Sequence, residues 1–490
     1  MPKDNSVRAV KRRGALYRIP PAQHFSVSSR WLCREDVRFD ASTYAQEGYE
    51  ALRVLEMCRY ETLPLGEFVA RVYHPTENQP RSNFKRIWVS AEEGVPFLSG
   101  RQLFFFRPNR EKFLSQKMAK LHELQVPKGT ILLSRSGTTG YPVLVGKWLS
   151  SFAVTDDALR IFPSSVPIGF VYAFLASSMG HSLVVKGEYG KTVSHLEAKH
   201  VSTIPVPLLP VAQQTAIHEK ILHAYRLRDE ANNVLDEADL KLHRLLGVSP
   251  FTEKDIEFLG DKQDPRAFIT PLTGLGDRFD ATHHVPVARS AIHKLEGGRF
   301  GLADLGGLVD KVYVAPRFAR IYVGAEFGVP LLQGSQLPLL RPYGLKYISK
   351  VKTEKIERWI IRAGWVLVTC SGTIGRVTVT TRLQDGWAAS QHILRIIPKP
   401  RVSHPGFIAA FLATPFGQHQ LKAKAYGGVV DELTAEDTAS VCLPDVPFRD
   451  QERLGEAVLK AYEMRDEANA VEEEAIRELE ILIRASAVCR

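Results

Sequence analysis

Residues 213–247 read QQTAIHEKILHAYRLRDEANNVLDEADLKLHRLLG, and this stretch determines how the rest of the chain is arranged. Small and apolar side chains recur in it at alternating steps of four and three residues, which is the 3.5-residue period of a coiled-coil seam. Pro210 suits the start of a helix, and Gly247 followed by Pro250 suits its end. The stretch therefore predicts a rod-like helix of about 35 residues, roughly 50 Å long.

The same helix recurs 237 residues further along the chain. The string RDEAN stands at 228–232 and again at 465–469. A helix does not require this particular string, so we infer an internal duplication. The seam positions that follow are Ile217, Ile221, Ala224, Arg228, Ala231, Leu235, Ala238, Leu242 and Leu245, then Leu454, Val458, Ala461, Arg465, Ala468, Glu472, Ala475, Leu479 and Leu482.

Neither helix can bury its seam alone, so we expect the two helices to pair with each other. A two-fold axis through the pair makes them antiparallel and places the two globular halves of the chain at opposite ends of the rod. If the axis passes near Ala231, the predicted contacts are Arg228 with Glu472 and Arg465 with Asp236. The alternatives are that each helix packs on its own domain or on another subunit.

The globular parts of the chain share short blocks in the same order. These blocks are RFDA (38–41, 278–281), GVP (94–96, 328–330), SGT (136–138, 371–373), LRI (159–161, 394–396) and AFLA (173–176, 410–413). Between the blocks the two copies differ strongly, as two domains would that read different things on one scaffold. We divide the chain into a basic N-terminal arm (1–30), a first globular domain (31–207), a first spacer helix (208–248), a linker (249–275), a second globular domain (276–444) and a second spacer helix (445–490).

Each globular domain mixes strands and helices. Apolar runs before and after the SGT blocks predict paired strands at 129–134 with 141–145, and at 364–369 with 376–381. Apolar residues on all sides predict short buried helices at 169–177 and 406–413. The fold class is therefore α+β, with two domains related by a pseudo-two-fold axis and separated by an antiparallel two-helix coiled coil.

Composition sets wider limits. The chain has 490 residues, 44% of them hydrophobic, which is enough for two or three domains with full cores. Lys and Arg outnumber Asp and Glu by 64 to 54, a balance that is compatible with nucleic acid without proving it. The five cysteines are far apart and form no CxxC motif, so a reducing cytoplasm fits better than a zinc ribbon or a disulfide framework. No apolar run is long enough for a membrane span, and the N-terminal arm is either a phosphate-contacting segment or simply a disordered end.

Motifs for catalysis are absent from the sequence. We find no DPPY-type methyltransferase tetrapeptide, no FxGxG, no HExxH, no GxSxG and no Walker A loop. The PD at 444–445 is not followed by a convincing nuclease pattern. His181, His283 and His284 lack partners at metal-ligand spacing and suit packing or surface positions better. We therefore predict no catalytic residue and no metal ligand.

Each SGT block, with its flanking strands, is predicted to form a tight turn. The turn either contacts a phosphate or has only a structural role that requires glycine at positive φ, and both interpretations stay open. Basic residues interleaved with aromatic ones collect where the two copies differ. They can neutralise phosphates and pair with guanine, or they can be ordinary solvated surface. The predicted DNA-binding residues are Arg81, Lys85, Arg86, Arg101, Arg135, Ser136, Thr138, Lys191, Lys311, Arg317, Arg320, Lys350, Lys352, Ser371, Thr373 and Arg376.

This doubled order of motifs resembles the specificity (S) subunit of type I restriction–modification enzymes. The segments that carry the resemblance are LLSRSGTTG (132–140), IPVPLLPVAQQ (204–214), LVTCSGTIG (367–375), ASQHILRIIP (389–398) and YGGVVDELTAEDTASVCLPDVPFRDQE (426–452). The cysteine in VCLPDVP, where the family has a more regular proline-rich run, and the N-terminal arm are departures from the family pattern.

The resemblance implies that each globular domain is a target-recognition domain that reads one part of a split double-stranded DNA target. The helices would be spacers that also dock modification (methyltransferase) subunits, most simply two, and through them a restriction and translocase subunit. S-adenosylmethionine, ATP and Mg²⁺ would bind to those partner subunits. The chain itself would be a non-catalytic, cytoplasmic component of phage defence without a bound cofactor. The alternatives are a recognition scaffold of a non-methylating defence complex and an enzyme with an unrecognised nuclease site.

Overall fold

The computed structural model describes residues 9–12, 15–18, 47–77, 80–118, 120–136, 140–186, 195–256, 268–270, 272, 275 and 278–488. The elements up to the first long helix are β1 (Ala9–Arg12), β2 (Ala15–Arg18), α1 (Glu47–Met57), β3 (Thr62–Pro64), α2 (Leu65–Phe68), β4 (Val69–Tyr73), β5 (Trp88–Val89), β6 (Gly94–Leu98), β7 (Phe113–Ser115), α3 (Leu121–Leu124), β8 (Ile131–Ser134), β9 (Pro142–Leu144), β10 (Ala153–Val154), β11 (Ala158–Pro163), α4 (Ile168–Ala176), α5 (Ser178–Lys186), α6 (Ala198–Ser202), β12 (Pro205–Pro207) and α7 (Val211–Leu246).

From α1 onward the second half repeats this order, apart from α3. Its elements are α8 (Pro286–Glu296), β13 (Leu302–Asp304), α9 (Leu305–Leu308), β14 (Val309–Val314), β15 (Tyr322–Val323), β16 (Gly328–Leu332), β17 (Lys346–Ser349), β18 (Val366–Thr369), β19 (Val377–Val379), β20 (Ala388–Ala389), β21 (Ile393–Pro398), α10 (Pro405–Ala413), α11 (Pro415–Lys424), α12 (Ala435–Ala439), β22 (Cys442–Pro444) and α13 (Phe448–Val488). Strands and short helices lie where the sequence predicts them on both sides of the SGT blocks.

The long helices α7 and α13 pair with each other and run antiparallel, as the duplicated seam predicts. Near the start of α7, Lys220 Nζ lies 2.8 Å from Glu478 Oε2, which is near the end of α13. Towards the end of α7, Leu242 shares a hydrophobic core with Leu454, near the start of α13. Gly247 ends α7 with φ of 73°, a left-handed conformation that glycine adopts without strain.

The predicted seam is buried along most of both helices. Its positions with less than a tenth of their surface exposed are Ile217, Ile221, Ala224, Arg228, Ala231, Ala238, Leu242, Leu454, Val458, Ala461, Arg465, Ala468, Glu472, Ala475 and Leu479. At the helix ends the seam moves by one residue, so that Leu246 and Ile483 are buried in place of the partly buried Leu245 and Leu482. A straight helix turns every 3.6 residues, so a 3.5-residue seam drifts along it.

One of the two predicted charge contacts in the rod is confirmed. Arg228 donates to Glu472, and its Nη2 also lies 2.7 Å from Asn469 Oδ1. Burial acts to raise the pKa of Glu472, but Arg228 and Arg341 lower it, so the carboxylate stays ionised. Tyr172 completes the cluster, with its hydroxyl 2.7 Å from Glu472 Oε1.

The second predicted contact, between Arg465 and Asp236, is wrong. Arg465 instead binds its neighbour Asp466 at 2.8 Å. Asp236 is occupied from the domain side, because Arg107 Nη2 lies 2.6 Å from Asp236 Oδ1 and Trp148 donates its indole N–H at 2.8 Å. The domain therefore competes successfully with the opposite helix for this carboxylate.

Each half is layered on the rod. A four-stranded antiparallel sheet, the frame sheet, has the order β4-β11-β8-β9 in the first half and β14-β21-β18-β19 in the second. Helices α4 and α10 pack between the frame sheets and the rod. Side chains alternate between the faces, so Leu133 belongs to the core that contains the rod and Leu132 belongs to the core on the far side.

A second sheet, the insert sheet, lies on the far side of each frame sheet. Its order is β10-β6-β7-β5 in the first half and β15-β17-β16-β20 in the second. Leu98 of β6 shares the far-side core with Leu132, and Leu332 of β16 shares its core with Leu367. Strands β5 and β15 form the open edges of the insert sheets, in the segments where the two copies differ.

The two domain cores lie at opposite ends of the rod, as predicted, but the domains also meet at its centre. Ile221 and Leu479 belong to the first core, whereas Leu242 and Val458 belong to the second. The sequence predicted contact between helices only. The structure adds a direct contact between the domains.

This central contact is an antiparallel β-bridge between Phe105 and Leu339, which are equivalent residues of the two halves. The amide of Phe106 donates to Pro338 O at 2.9 Å, and the amide of Leu340 donates to Phe104 O at 2.7 Å. Because equivalent residues pair with each other, the pseudo-two-fold axis passes through this bridge.

Equivalent asparagines of the rod hold the bridge from below. Asn232 Nδ2 donates to Phe106 O at 3.2 Å, and Asn469 Nδ2 donates to Leu340 O at 3.0 Å. Ala231 and Ala461 share a small hydrophobic core with these bridge residues. The repeated RDEAN string therefore supplies the asparagine that anchors each half to the axis.

The repeated LRI block has a structural role, because its arginines are fully buried in the frame sheets. Arg160 is 1% exposed and donates to Ala158 O at 2.7 Å, while Arg395 is fully buried and donates to Ser390 O at 2.9 Å. Burial lowers the pKa of each guanidinium to about 10. These arginines hold the loops before β11 and β21 and are not available to a ligand.

Parts of the remaining predictions lie outside the described residues. Within the N-terminal arm, β1 and β2 form an antiparallel hairpin. From the linker, Phe251 packs into the second core. Among the helices of the described ranges none is singly long and apolar enough to cross a membrane; α4 and α5 meet that measure only together, across a bend of 75°.

Candidate nucleic-acid interface

Each insert sheet presents at its open edge an exposed aromatic ring with a lysine from the neighbouring strand segment beside it. Trp88 on β5 is 46% exposed, and Lys112 Nζ lies 5.4 Å from its ring centroid. Tyr322 on β15 is also 46% exposed, and Lys346 Nζ lies 5.1 Å from its ring centroid. The two rings occupy equivalent positions, as do the two lysines, so each half presents the same arrangement with a different ring.

The predicted DNA-binding residues do not include Lys112 and Lys346, although the prediction rested on basic residues interleaved with aromatic ones. The duplication contains the signal that would have found them, because both Trp88 and Lys112 recur 234 residues later as an aromatic residue and a lysine. A lysine beside an exposed ring is a surface on which a base can stack while a phosphate is neutralised nearby.

Of the predicted contacts in the first half, Lys85 and Arg101 are exposed. Arg86 is exposed too, but it is held by Asp156 at 2.7 Å and lies over the Phe97 ring. The side chain of Arg81, together with Thr138 and Lys191, lies outside the described residues.

The remaining two predicted residues of the first half are bonded within the domain. Arg135 is half-buried and reaches Asp157 at 3.3 Å and Leu196 O at 3.1 Å. Ser136 Oγ lies 2.8 Å from His195 Nδ1. Both side chains therefore help to fix the turn in place.

In the second half, four of the predicted lysines and arginines are exposed. They are Lys311, Arg317, Lys350 and Lys352. Lys311 lies over the Tyr313 ring at 4.9 Å, and Lys350 and Lys352 belong to the turn that follows β17. Arg320 is half-buried and donates to Gln391 Oε1 at 2.7 Å, so the protein itself orients its guanidinium.

The second SGT turn uses most of its amides internally. Gly372 donates its amide to Asp431 O at 2.9 Å, and Gly375 donates to Thr369 O at 3.0 Å. Ser371 is bridged to Glu432. Gly372 and Gly375 have φ of 74° and 84°, as the structural-turn interpretation requires. The exposed Thr373 remains free to meet a ligand.

Arg376, the last predicted residue, lies apart from the insert sheets. It is half-buried between the domains and lies 4.9 Å over the ring of Phe105, on the pseudo-two-fold axis. Burial, and then the neighbouring Arg101 of the other domain, lower the pKa of Arg376 to about 10. The fold thus brings these two predicted arginines together across the domain boundary.

The described ranges contain no group of three or more His, Cys, Asp or Glu residues that could hold a metal ion. The rings of His283 and His284 meet edge to face with centroids 4.9 Å apart, and a ring nitrogen of His284 lies 2.6 Å from Arg278 O. His181 packs 4.4 Å from the Tyr141 ring. All three histidines therefore occupy packing positions.

Three solved structures are similar to this chain over most of its length, and all come from type I restriction–modification systems. The S subunit from M. genitalium is 10% identical, with a TM-score of 0.35, over 88% of this chain and 96% of its own. The HsdS subunit from Thermoanaerobacter tengcongensis is 13% identical, with a TM-score of 0.28, over 87% of this chain and 97% of its own. A structure on complex assembly and conformational transition of the type I R-M system gives 14% identity, a TM-score of 0.27, and 87% and 96% coverage.

These matches name the same family that the sequence resembles. No family model and no curated protein matches the chain.

Proposed function

We propose that this protein is the sequence-specific DNA-recognition subunit of a type I-like restriction–modification complex and reads a split target with its two domains. The observation that carries the proposal is the pair of matched edges, Trp88 with Lys112 and Tyr322 with Lys346, on domains placed at opposite ends of an antiparallel rod. A repeated frame with different exposed rings is what two readers of different half-sites need. A rigid connection between them fixes the gap.

The two domains predict two separable losses of specificity. In a selection from a library of random duplexes, the full chain should enrich two half-sites at a fixed spacing. The variant Trp88→Ala/Lys112→Gln should lose preference at one half-site only, and Tyr322→Ala/Lys346→Gln at the other only. Lost base contacts cost about 1–3 kcal/mol each and relax specificity locally.

Arg484→Gln is the matched control, because it removes an exposed charge from the rod without touching either insert sheet. If the wild-type chain enriches no sequence, or if both variants blur both half-sites equally, the assignment of one reader to each domain fails. Cleavage or methylation of DNA by the purified chain alone would instead support the alternative of an enzyme with an unrecognised site.

We further propose that modification subunits dock on the rod. Among the described residues of the rod, exposed apolar side chains include Leu240, 54% exposed, and Ile481, 59% exposed. In this arrangement S-adenosylmethionine chemistry belongs to the docked subunits, and ATP and Mg²⁺ belong to a restriction subunit in turn, as expected of a cytoplasmic phage-defence complex. Leu240→Glu/Ile481→Glu should reduce co-purification of a co-expressed modification subunit and leave DNA binding by the chain unchanged; equal recovery would place the docking surface elsewhere.

A further inference from the structure

The pseudo-two-fold axis relates two clefts at the junction of the domains, and only one of them is open. The open cleft, which we call the junction cleft, has a volume of about 390 Å³. Its walls include Arg101 and Phe105 of the first domain and Arg376 and Lys422 of the second, with Arg465 of the rod at its base. A neighbouring cavity of about 400 Å³ shares Lys422 and other residues with it.

The equivalent cleft on the other side of the axis is filled by aromatic side chains. It retains about 170 Å³ and is lined by Tyr141, Tyr172 and Tyr343. The rings of Tyr141 and Tyr343 pack against each other there, tilted by 32°, with centroids 4.2 Å apart. Tyr141 is the residue equivalent to Arg376. The same position therefore places an aromatic ring in the closed cleft and a positive charge in the junction cleft.

Positive side chains outnumber the one carboxylate, Glu111, among the described residues that line the junction cleft. In the part of the chain that the structure describes, Arg101, Arg376 and Lys422 have no ion pair with a carboxylate. Arg465, by contrast, is neutralised by Asp466 at 2.8 Å. Two guanidiniums from different domains that face each other without an ion pair to a carboxylate repel, and this arrangement costs free energy unless an anion lies between them.

We propose that the junction cleft binds a phosphate group, with Arg101 and Arg376 clamping it from the two domains and Lys422 adding a third positive charge. The side chains of arginine suit this role because their planar forks match phosphate oxygens. The phosphate source that the geometry favours is the backbone of the DNA that runs between the two half-sites, since the cleft borders the axis. That source rests on the proposed function, whereas the phosphate chemistry of the cleft does not.

The test exchanges each arginine for the residue that the other half has at the equivalent position. These changes are Arg101→Ser, after Ser335, and Arg376→Tyr, after Tyr141. Two probes are measured on the full-length chain: a labelled duplex, titrated at several salt concentrations, and inorganic pyrophosphate alone. Arg484→Gln again serves as a control for the loss of an exposed positive charge outside the cleft, and thermal melting checks folding.

If the phosphate belongs to DNA, the double variant should bind the duplex more weakly and with a slope of log affinity against log salt that is smaller by about one, because both arginines bind the same phosphate and each phosphate contact contributes about one. Sequence preference should not change, because phosphate contacts carry no base information. If the source is a small ligand, duplex binding stays the same and pyrophosphate binding is lost.

Wild-type behaviour of the double variant with both probes overturns the proposal, as does a wild-type chain that binds neither probe. Arg101→Ser alone keeps the test valid if the double variant melts early, because Arg101 is exposed and its loss should weaken duplex binding in the same direction by a smaller factor. A chain that binds pyrophosphate through Arg376 and shows no duplex affinity would refute the proposed function and retain the phosphate site.

Discussion

Arg228 of the first long helix and Glu472 of the second form an ion pair that is almost completely buried, with 4% and 1% of their side chains exposed. Arg341 of the second domain approaches the same carboxylate at 3.2 Å. The pseudo-symmetry fails here, because the residue equivalent to Glu472 is Leu235. The pair therefore exists once in the molecule, although the helices that carry it are duplicates.

The first prediction concerns the stability of this pair. Glu472→Leu leaves Arg228 buried without its carboxylate, and removing one partner of a buried pair costs about 3–5 kcal/mol. Arg228→Leu/Glu472→Leu should recover most of that loss, because two apolar residues can fill the same space. Urea unfolding of the wild type, both single variants and the double variant measures this, and a double variant as unstable as Glu472→Leu would contradict it.

The second prediction concerns which halves can pair. Two copies of the first half would place Arg228 opposite Leu235, so separately expressed halves, divided in the linker, should assemble with each other rather than with themselves. Leu235→Glu in the first half supplies the missing carboxylate and should convert it into a homodimer. Native mass spectrometry distinguishes these species. Self-pairing of the unmodified first half as strong as its pairing with the second would show that the ion pair does not select partners.

The third prediction concerns the central bridge. Asn232→Ala removes the donor to Phe106 O and leaves a buried carbonyl unsatisfied, at a cost of about 1–3 kcal/mol. Hydrogen exchange should speed up at the amides of both Phe106 and Leu340, because they belong to one bridge. Asn233→Ala, at the exposed neighbouring position, is the matched control. Faster exchange on one side alone would mean that the two segments open independently.

The fourth prediction concerns pH. His218 and His404 each accept a backbone amide through Nδ1, from Gly169 at 2.9 Å and from Gly406 at 3.2 Å. Burial lowers the pKa of both histidines below the ordinary 6.5; the carboxylates of Glu219 and Glu456 oppose this shift only in part. The unfolded chain therefore binds more protons than the folded chain near pH 6.5. The contribution of these histidines to the free energy of unfolding should be fully present above that pH and should decrease as the pH drops below it.

Melting temperatures measured across this range provide the check. His218→Asn/His404→Asn keeps an oxygen acceptor for each amide and removes the titration, so this variant should lose less stability on acidification than the wild type. An equal loss would assign the acid sensitivity to other groups.

Much of the rod could be predicted from the sequence because its signal is periodic and occurs twice. The antiparallel pairing and the contact of Arg228 with Glu472 follow from a seam and one symmetry axis. The same reasoning gave the wrong partner for Arg465. A helix pattern does not reveal that Arg465 binds its neighbour Asp466, or that Arg107 of the first domain binds Asp236.

The candidate site could be predicted only in part. Trp88 and Tyr322 lie where basic residues interleaved with aromatic ones were predicted to contact DNA, but Lys112 and Lys346 are single residues without a motif around them. The bridge of Phe105 and Leu339 could not be found, because one pair of extended residues has no period. The sequence signal near the bridge is a repeated dipeptide: Gln-Leu stands at 102–103 before Phe105 and at 336–337 before Leu339.

Because of the bridge, the parts of the molecule form a mechanically closed ring. Rod, first domain, bridge and second domain each connect to the next, so neither domain can swing on the rod without breaking the contact between Phe105 and Leu339. A molecule built in this way holds its two domains at a fixed distance and orientation. It tolerates little error in the distance that it spans, and a poor fit at one end is felt as strain at the other.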